Sequence, residues 1–364
     1  MQELQNATDI FIKVMSSPSS SKEDINNSLQ EYYKYLSDSN EEEVILFMKK
    51  VFDLHRLSDM ERAATATIIC GYLVERGFPS DSILHPLIDF YDNLLDRSQI
   101  FYESLFSEIS KINEEDDEKR DGIINKTFAD LVSDRSKVSQ EAYNAVVALD
   151  KFYACAISVF SVNKDNFLSA KVRLADKVAF VGQNNEGCYW LNELFGVFFD
   201  EPVVVIDIDK SIGFKGKING IVYNNQLQYL LMGIPFLNDD KSAIPEDILG
   251  VFNGEGPQQL DQKSVTGKWN MYNLELCKEQ DWQKIINNKE NLSQAKGFSN
   301  CWIWGEGTPG NITIHRGYRV ILLGTPSYSR SSSIQRTFRN LRAGIEIEKI
   351  LDQEEIDNWL NHTI

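Results

Sequence analysis

The chain has few cysteines, and no two of them have the spacing that a metal site or a redox motif needs. No pair is separated by only two residues. A zinc ribbon and a thioredoxin-type dithiol are therefore excluded. Cys70 and Cys155 lie in apolar runs, which predicts buried thiols and a reducing compartment. The five cysteines are Cys70, Cys155, Cys188, Cys277 and Cys301.

Long apolar runs are also missing. No stretch approaches the roughly 18 residues that a membrane span needs. The segment Met1–Gln5 has no basic residue followed by an apolar stretch, so we expect no signal peptide. With the reducing compartment inferred from the cysteines, these absences predict a cytoplasmic protein.

Positive charge is scarce. The chain has 37 Lys and Arg against 54 Asp and Glu, a formal net charge of -17, and a pI near 4.8. This charge repels a phosphate backbone and an anionic membrane surface, so we expect neither a nucleic-acid partner nor a membrane partner. It suits a freely soluble protein, and it also suits one that attracts a basic protein partner.

Familiar catalytic and phosphate-binding motifs are absent as well. The sequence has no Walker A motif, no G-x-S-x-G elbow, no HExxH pair and no G-x-G-x-x-G that opens a helix after a strand. The glycine-rich stretch Trp304–Gly310 contains an acid and a proline, which favours a turn-rich connection over a phosphate cradle. We predict no metal site and no cofactor.

The first half of the sequence has the pattern of a helical domain. Capping-box signals at Ser39–Glu42 and Ser58–Glu61 precede apolar residues at helical spacing. Gly77 followed by Pro79 ends a helix. Because the connections are short, we expect antiparallel neighbours, either in a bundle or in stacked helix pairs. We assign residues 1–199 to this all-helical domain.

The pattern changes near residue 200. The β-branched run Pro202–Asp209 and the alternating run Phe214–Tyr223 predict a hairpin through Lys210–Gly213. Hairpins mixed with helices indicate an α+β fold with a mixed, partly antiparallel sheet, which we assign to residues 200–364. Further strands are predicted at Trp269–Leu276, Cys301–Trp304 and Arg319–Leu323, and helices at Asn225–Met232, Asp281–Asn287, Ile334–Leu341 and Glu354–Leu360.

One strand end carries paired carboxylates. The run Val203–Ser211 resembles the first motif of haloacid-dehalogenase-like phosphatases, a hydrophobic strand ending in DxDx[ST]. The resemblance implies Asp207 as phosphoryl acceptor, Asp209 as acid/base, and a second strand ending at Thr325. That family needs a parallel sheet and a later acidic pair, whereas this motif enters a predicted hairpin and no such pair follows Thr325. We favour a strand end entering a turn, where Asp is common.

A Cys-His pair is the second candidate for chemistry. Cys188 follows Gly187 at a predicted helix start, where the helix dipole favours a thiolate. Papain-like and transglutaminase-like enzymes place their nucleophile in this way, with a histidine on a later strand. His315 and His362 are the only histidines of the second half. Cys188 and His315 would thus be the catalytic residues of a cytosolic hydrolase or transferase. The alternative is a core cysteine at a helix-packing surface.

The third candidate is a stretch rich in arginine. Between Glu306 and Glu346 the chain has no Asp, Glu or Lys but six arginines. A predicted helix would place Arg336, Arg339 and Arg342 on one face, with serines at its start. Backbone N–H groups and guanidinium groups there would bind an anion. The anion-binding residues of this hypothesis are Arg330, Ser331, Ser332, Arg336 and Arg339. The alternative is that the arginines pair with the protein's own carboxylates.

Three stretches resemble bacterial proteins of unassigned function. They are Gly220–Leu231, Trp304–Ile312 and Arg319–Arg330. The resemblance is diffuse and carries no known activity, so it transfers no functional residue and points to no characterised family. The sequence as a whole predicts a non-enzymatic intracellular interaction protein, such as an immunity or regulatory protein for a basic partner. The alternative is the enzyme or anion-binding protein just described.

Overall fold

The computed structural model describes residues 2–36, 39–113, 116–134, 138–238, 244–275, 301–326 and 329–361. The chain divides into two compact units, Met1–Phe195 and Gly196–Ile364. We refer to them as the helical unit and the mixed unit. The predicted α+β class, with a helical half followed by a half of mixed strands and helices, is confirmed.

Nine helices are described in the helical unit. Several of them begin directly after a side chain that caps the N-terminus. Asn40 closes a capping box with Glu43, and Asp59, Ser139 and Asn163 each accept from backbone N–H groups. The helices are α1 (Gln2–Ser16), α2 (Lys22–Leu36), α3 (Glu41–Phe52), α4 (Met60–Glu75), α5 (Asp81–Ile109), α6 (Asp117–Ser133), α7 (Gln140–Phe160), α8 (Lys164–Val181) and α9 (Glu186–Phe195).

The helix α7 is at the centre of this unit. It packs against α4, α5 and α9, and α8 packs against α5. Among the described helices it alone is long and apolar enough to cross a membrane, but 56% of its apolar window is buried within the fold. Burial of that kind is typical of a core helix. Closer to the N-terminus, α1 packs on α2 and α3, with Phe11, Tyr32 and Phe47 buried between them.

The mixed unit contains a six-stranded sheet and a separate two-stranded ribbon. The main sheet has the order β4-β6-β1-β2-β8, with β5 paired to β6, and the ribbon joins β3 to β7. The strands are β1 (Glu201–Asp207), β2 (Ile212–Asn219), β3 (Gln259–Thr266), β4 (Asn270–Asn273), β5 (Ile314–His315), β6 (Tyr318–Gly324), β7 (Ser331–Gln335) and β8 (Gly344–Ile350); the helices are α10 (Asn224–Met232), α11 (Glu246–Asn253) and α12 (Gln353–Asn361).

The strand β1 is central in that sheet and buried on both faces. It forms the predicted antiparallel hairpin with β2 and also runs parallel to β6, with Asp207 opposite Leu323. Val203 and Val205 join an apolar cluster with α10 and α11, while Val204 and Ile206 join one with α12. A strand enclosed in this way needs an uninterrupted β-branched run, which this stretch has.

The glycine-rich stretch after Trp304 caps the start of α10. The N–H groups of Asn224 and Asn225 donate to the carbonyls of Gly307 and Gly305. A Cβ at Gly305 would lie 2.0 Å from Asn225 Oδ1, so a larger residue there would displace the Asn225 side chain. The loop thus supplies backbone acceptors that no side chain at the cap position provides.

One predicted helix is wrong and another lies outside the described residues. Residues 334–341 form no helix, because Ser331–Gln335 is the strand β7, which pairs antiparallel with β3. The chain then runs through bends to β8. Arg336, Arg339 and Arg342 therefore share no helical face. The predicted helix Asp281–Asn287 falls among residues that the structure does not describe.

Candidate functional site

The arginine-rich stretch has an extended backbone where the sequence predicts a helix. Arg330 precedes β7 and Arg336 follows it. At about 3.3 Å per residue, six residues of extended chain separate them by roughly 20 Å. The serines between them bond elsewhere: Ser331 Oγ lies 2.7 Å from Thr266 Oγ1, and Ser332 Oγ lies 2.6 Å from the Tyr229 hydroxyl. The five residues of the anion-site hypothesis are thus not gathered around one point.

Arg336 donates to backbone carbonyls. Its Nη1 donates to the carbonyl oxygens of Val251, Gly256 and Pro257 at 2.8–3.0 Å, and its Nε and Nη2 donate to that of Arg339. Burial, helped by nearby guanidinium groups, lowers the pKa of Arg336. This geometry satisfies loop carbonyls and leaves little of the donor fork for an external anion.

Two more arginines of the stretch have similar structural partners. Arg342 Nη1 donates to the carbonyl of Gly254. Arg319 is buried, forms an ion pair with Glu201 at 2.8 Å and lies over the ring of Phe198. The alternative to an anion site is that these arginines pair with carboxylates of the protein itself. Carbonyl oxygens take that role at Arg336 and Arg342, and a carboxylate takes it at Arg319.

Arg330 lies against two indole rings. Its guanidinium carbon is 5.4 Å from the ring centre of Trp302 and 5.3 Å from that of Trp304. With Tyr229 and Gln228 it borders a crevice of about 30 Å³. A space of that size holds a water molecule or two, not a phosphate ester or a larger substrate.

Cys188 is buried in the helical unit. It lies in the first turn of α9, as the sequence predicts, and its N–H donates to Asn185 Oδ1. The side chain is 0% exposed. Burial, with a smaller contribution from the Asp150 carboxylate, raises the pKa of the thiol well above its ordinary value. In this environment burial outweighs the helix dipole, so the thiol is not activated.

His315 belongs to the other unit, on the short strand β5. Its Nδ1 pairs with a carboxylate oxygen of Glu275, and its ring lies edge-on to Trp359 with centroids 5.9 Å apart. The structure places Cys188 and His315 in separate compact units, each with its own partners. Among the described residues no group of three or more His, Cys, Asp or Glu side chains is arranged to hold a metal ion.

The paired carboxylates after β1 form a turn. Asp207 is 2% exposed and accepts from the Lys210 N–H, and burial raises its pKa. Asp209 accepts from the N–H and hydroxyl of Thr325 at 2.9 and 2.6 Å, a contact made possible by the parallel pairing of β1 and β6. The sequence predicted only the hairpin, so this parallel neighbour was missed. A buried carboxyl with a raised pKa is still poorly suited to attack phosphorus.

A concave surface with both apolar and acidic side chains lies on the helical unit. It is a groove of about 590 Å³ between α1 and α3. One wall comes from Leu4 and Thr8, one turn apart on α1. We call it the α1–α3 groove. The residues used below that line it are Leu4, Thr8, Glu42, Glu43, Leu46 and Phe47.

The side chains of α3 give this groove an apolar floor and an acidic rim. Phe47 is buried, whereas Leu46 is 49% exposed. Glu43 is held by the capping box with Asn40, and Glu42 is exposed and also lines the groove. The unit that contains this groove also carries most of the chain's negative charge. It has 33 acidic and 20 basic residues, a net charge of -13 out of the total of -17.

Sequence reasoning missed the groove because its walls come from two helices about 40 residues apart. The only signal available was the block Glu41–Glu43 directly before an apolar helix, which also serves as an ordinary first helical turn. Comparisons with protein-family models, curated proteins and solved structures find no match to this chain. The expectation that no characterised family matches is therefore confirmed, and any assignment of function depends on the chain's own geometry.

Proposed function

We propose that the chain is a non-enzymatic, soluble interaction protein of the cytoplasm that binds a basic partner protein in the α1–α3 groove. A regulatory or immunity protein that masks its target acts in this way. The partner segment is an amphipathic helix, with apolar side chains on the groove floor and Lys or Arg beside Glu42 and Glu43. The observation that carries the proposal is the half-exposed Leu46 beside a cavity rimmed by those two carboxylates.

Charge and size both support this function. A net charge of -13 on the helical unit attracts a basic partner over a distance and speeds its encounter. A volume of about 590 Å³ is within the range of pockets that bury side-chain groups of a ligand. Burial of the exposed half of Leu46 contributes about 1 kcal/mol, or about fivefold in dissociation constant.

The enzymatic alternatives have less support in the geometry. The Cys188 thiol is buried and its pKa is raised, which opposes nucleophilic attack. The Arg336 guanidinium donates to carbonyls of its own unit. The crevice beside Arg330 has room only for water.

The test uses a labelled synthetic peptide that forms an amphipathic helix with Leu on one face and Lys on the other. A control peptide has Glu in place of every Lys. Fluorescence anisotropy at 50 mM and 300 mM NaCl measures binding to the full chain. We expect the lysine peptide to bind, to weaken at the higher salt concentration, and to outcompete the glutamate peptide.

Two variants locate the site, each with a matched control. Leu46→Asp should weaken binding at least tenfold, whereas Ile100→Asp, on an equally exposed isoleucine (54%), should not change it. Glu42→Gln should weaken binding a few fold, whereas Glu118→Gln, in the first turn of α6, should not. Equal affinity for the two peptides, or binding that survives Leu46→Asp, would overturn the proposal.

A further inference from the structure

The strand β8 lies at one end of the main sheet and has an open edge. In the part of the chain that the structure describes it pairs only with β2. Residues 346–350 are all exposed. An edge of this kind offers a row of backbone N–H and C=O groups to another strand, and proteins normally block such edges.

One face of β8 continues the apolar face of the sheet into solvent. The register places Ile347 opposite Gly216 and Ile350 opposite Phe214. Phe214 is fully buried under the helices of that face, but Ile347 is 38% and Ile350 is 58% exposed. An added strand would cover this uncovered end of the apolar face.

A groove of about 820 Å³ lies where β8 begins. It is lined by Ile345 and Gly344 of the strand and by Leu230, Ile234 and Leu249 from α10, α11 and the turn between them. A Cβ built on Gly344 would meet nothing within 4 Å. A side chain from a neighbouring strand therefore has both space and apolar surface at this end.

The opposite face of β8 is acidic. Lys217 lies opposite Glu346 and forms an ion pair with Glu348 at 2.7 Å, so two carboxylates share one cation. Lys349 is paired with Glu355 of α12. A neighbouring strand would gain from basic side chains on this face.

Pairing of two copies of β8 is disfavoured by the same charges. In an antiparallel pair centred on Ile347, Glu346 lies opposite Glu348 of the second copy. Like charges directly opposite each other destabilise a sheet.

From the open edge, its apolar row and its acidic face, we infer that β8 binds an extended segment of a partner protein in which apolar and basic residues alternate. The segment adds a strand to the sheet, with its apolar side chains beside Ile347 and over the groove and its basic side chains beside Glu346. Main-chain hydrogen bonds provide affinity and the alternation provides specificity. This surface belongs to the mixed unit and is independent of the α1–α3 groove.

The test uses an eight-residue peptide of alternating Val and Lys, capped at both ends and labelled, with the full chain. A peptide of the same composition in two blocks is the control for charge alone. Two further versions carry N-methyl groups on one or the other set of alternate amides. Only one set of amides in an added strand faces β8, so one methylated version should lose binding at least tenfold and the other should retain it.

Protein variants complete the test. Ile347→Asp should weaken binding at least tenfold, whereas Ile314→Asp, on an isoleucine of the same unit that is 56% exposed, should not change it. Leu46→Asp should also leave it unchanged, which separates this surface from the groove. Equal binding of the block peptide, equal effects of both methylation patterns, or a dimer in light scattering that Ile347→Asp dissociates would overturn the inference.

Discussion

Arg336 connects separate stretches of the mixed unit, and its removal should have a large and specific cost. Its donors bind four carbonyl oxygens, of which those of Val251 and Gly256 lie in partly buried bonds. After Arg336→Ala these two acceptors lose a charged donor, at about 1–2 kcal/mol each, while the exposed acceptors regain water. We therefore expect the free energy of unfolding of the mixed unit to fall by about 2–4 kcal/mol.

Urea denaturation followed by tryptophan fluorescence measures this change. Five of the six tryptophans belong to the mixed unit, so the signal reports mainly on it. Arg336→Lys keeps the charge but not the planar fork and should cause an intermediate loss. Arg339→Ala, at an exposed neighbour, should cost under about 1 kcal/mol.

Two results would refute this account of Arg336. One is a loss below about 1 kcal/mol in Arg336→Ala. The other is a stabilisation by inorganic phosphate in the wild type that Arg336→Ala removes, because that would mean the guanidinium serves an anion. We expect 10 mM phosphate to shift the denaturation midpoints of both proteins equally.

Two further predictions concern backbone fit and thiol burial. Gly220→Ala should lower the free energy of unfolding of the mixed unit by more than about 3 kcal/mol in the same urea assay, because φ is +65° and the new Cβ would lie 1.8 Å from the Arg342 carbonyl oxygen. The control Gly317→Ala has a φ of +81° but no atom within 4 Å of the new Cβ, so it should cost only about 1–2 kcal/mol. Cys188 should resist iodoacetamide at pH 7.5 in the native protein and react after unfolding in urea, as read by peptide mass mapping; rapid native labelling would contradict its burial.

Local signals predicted part of the helical unit. The end of α4 just before Gly77 follows from termination chemistry that a few neighbouring residues contain. Both predicted capping boxes were placed one residue early, because each predicted serine precedes a second good cap. Asn40, not Ser39, pairs with Glu43, and Asp59, not Ser58, accepts from the N–H groups at the start of α4.

The features that the sequence did not predict depend on contacts between residues far apart in the chain. Arg336, Arg339 and Arg342 have helical spacing, but the structure there is set by distant residues. Residues 331–335 pair with β3 as a strand, and the Arg336 side chain donates to the carbonyls of Val251 and Gly256. The parallel contact of β1 with β6 joins residues more than 100 positions apart. The α1–α3 groove arises in the same way from two helices that share no local pattern, so neither its walls nor its volume could be read from the sequence.

The position of β1 also determines when the mixed unit can be completed during synthesis. Its parallel partner β6 ends at Gly324, so after β1 leaves the ribosome more than 100 further residues must be made, on the order of ten seconds. Until then β2 pairs with only one of the two hydrogen-bonding edges of the Val- and Ile-rich strand β1. A chain stalled on the ribosome between residues 220 and 318 would have a complete helical unit and a strand β1 with one unpaired edge, which is prone to aggregation.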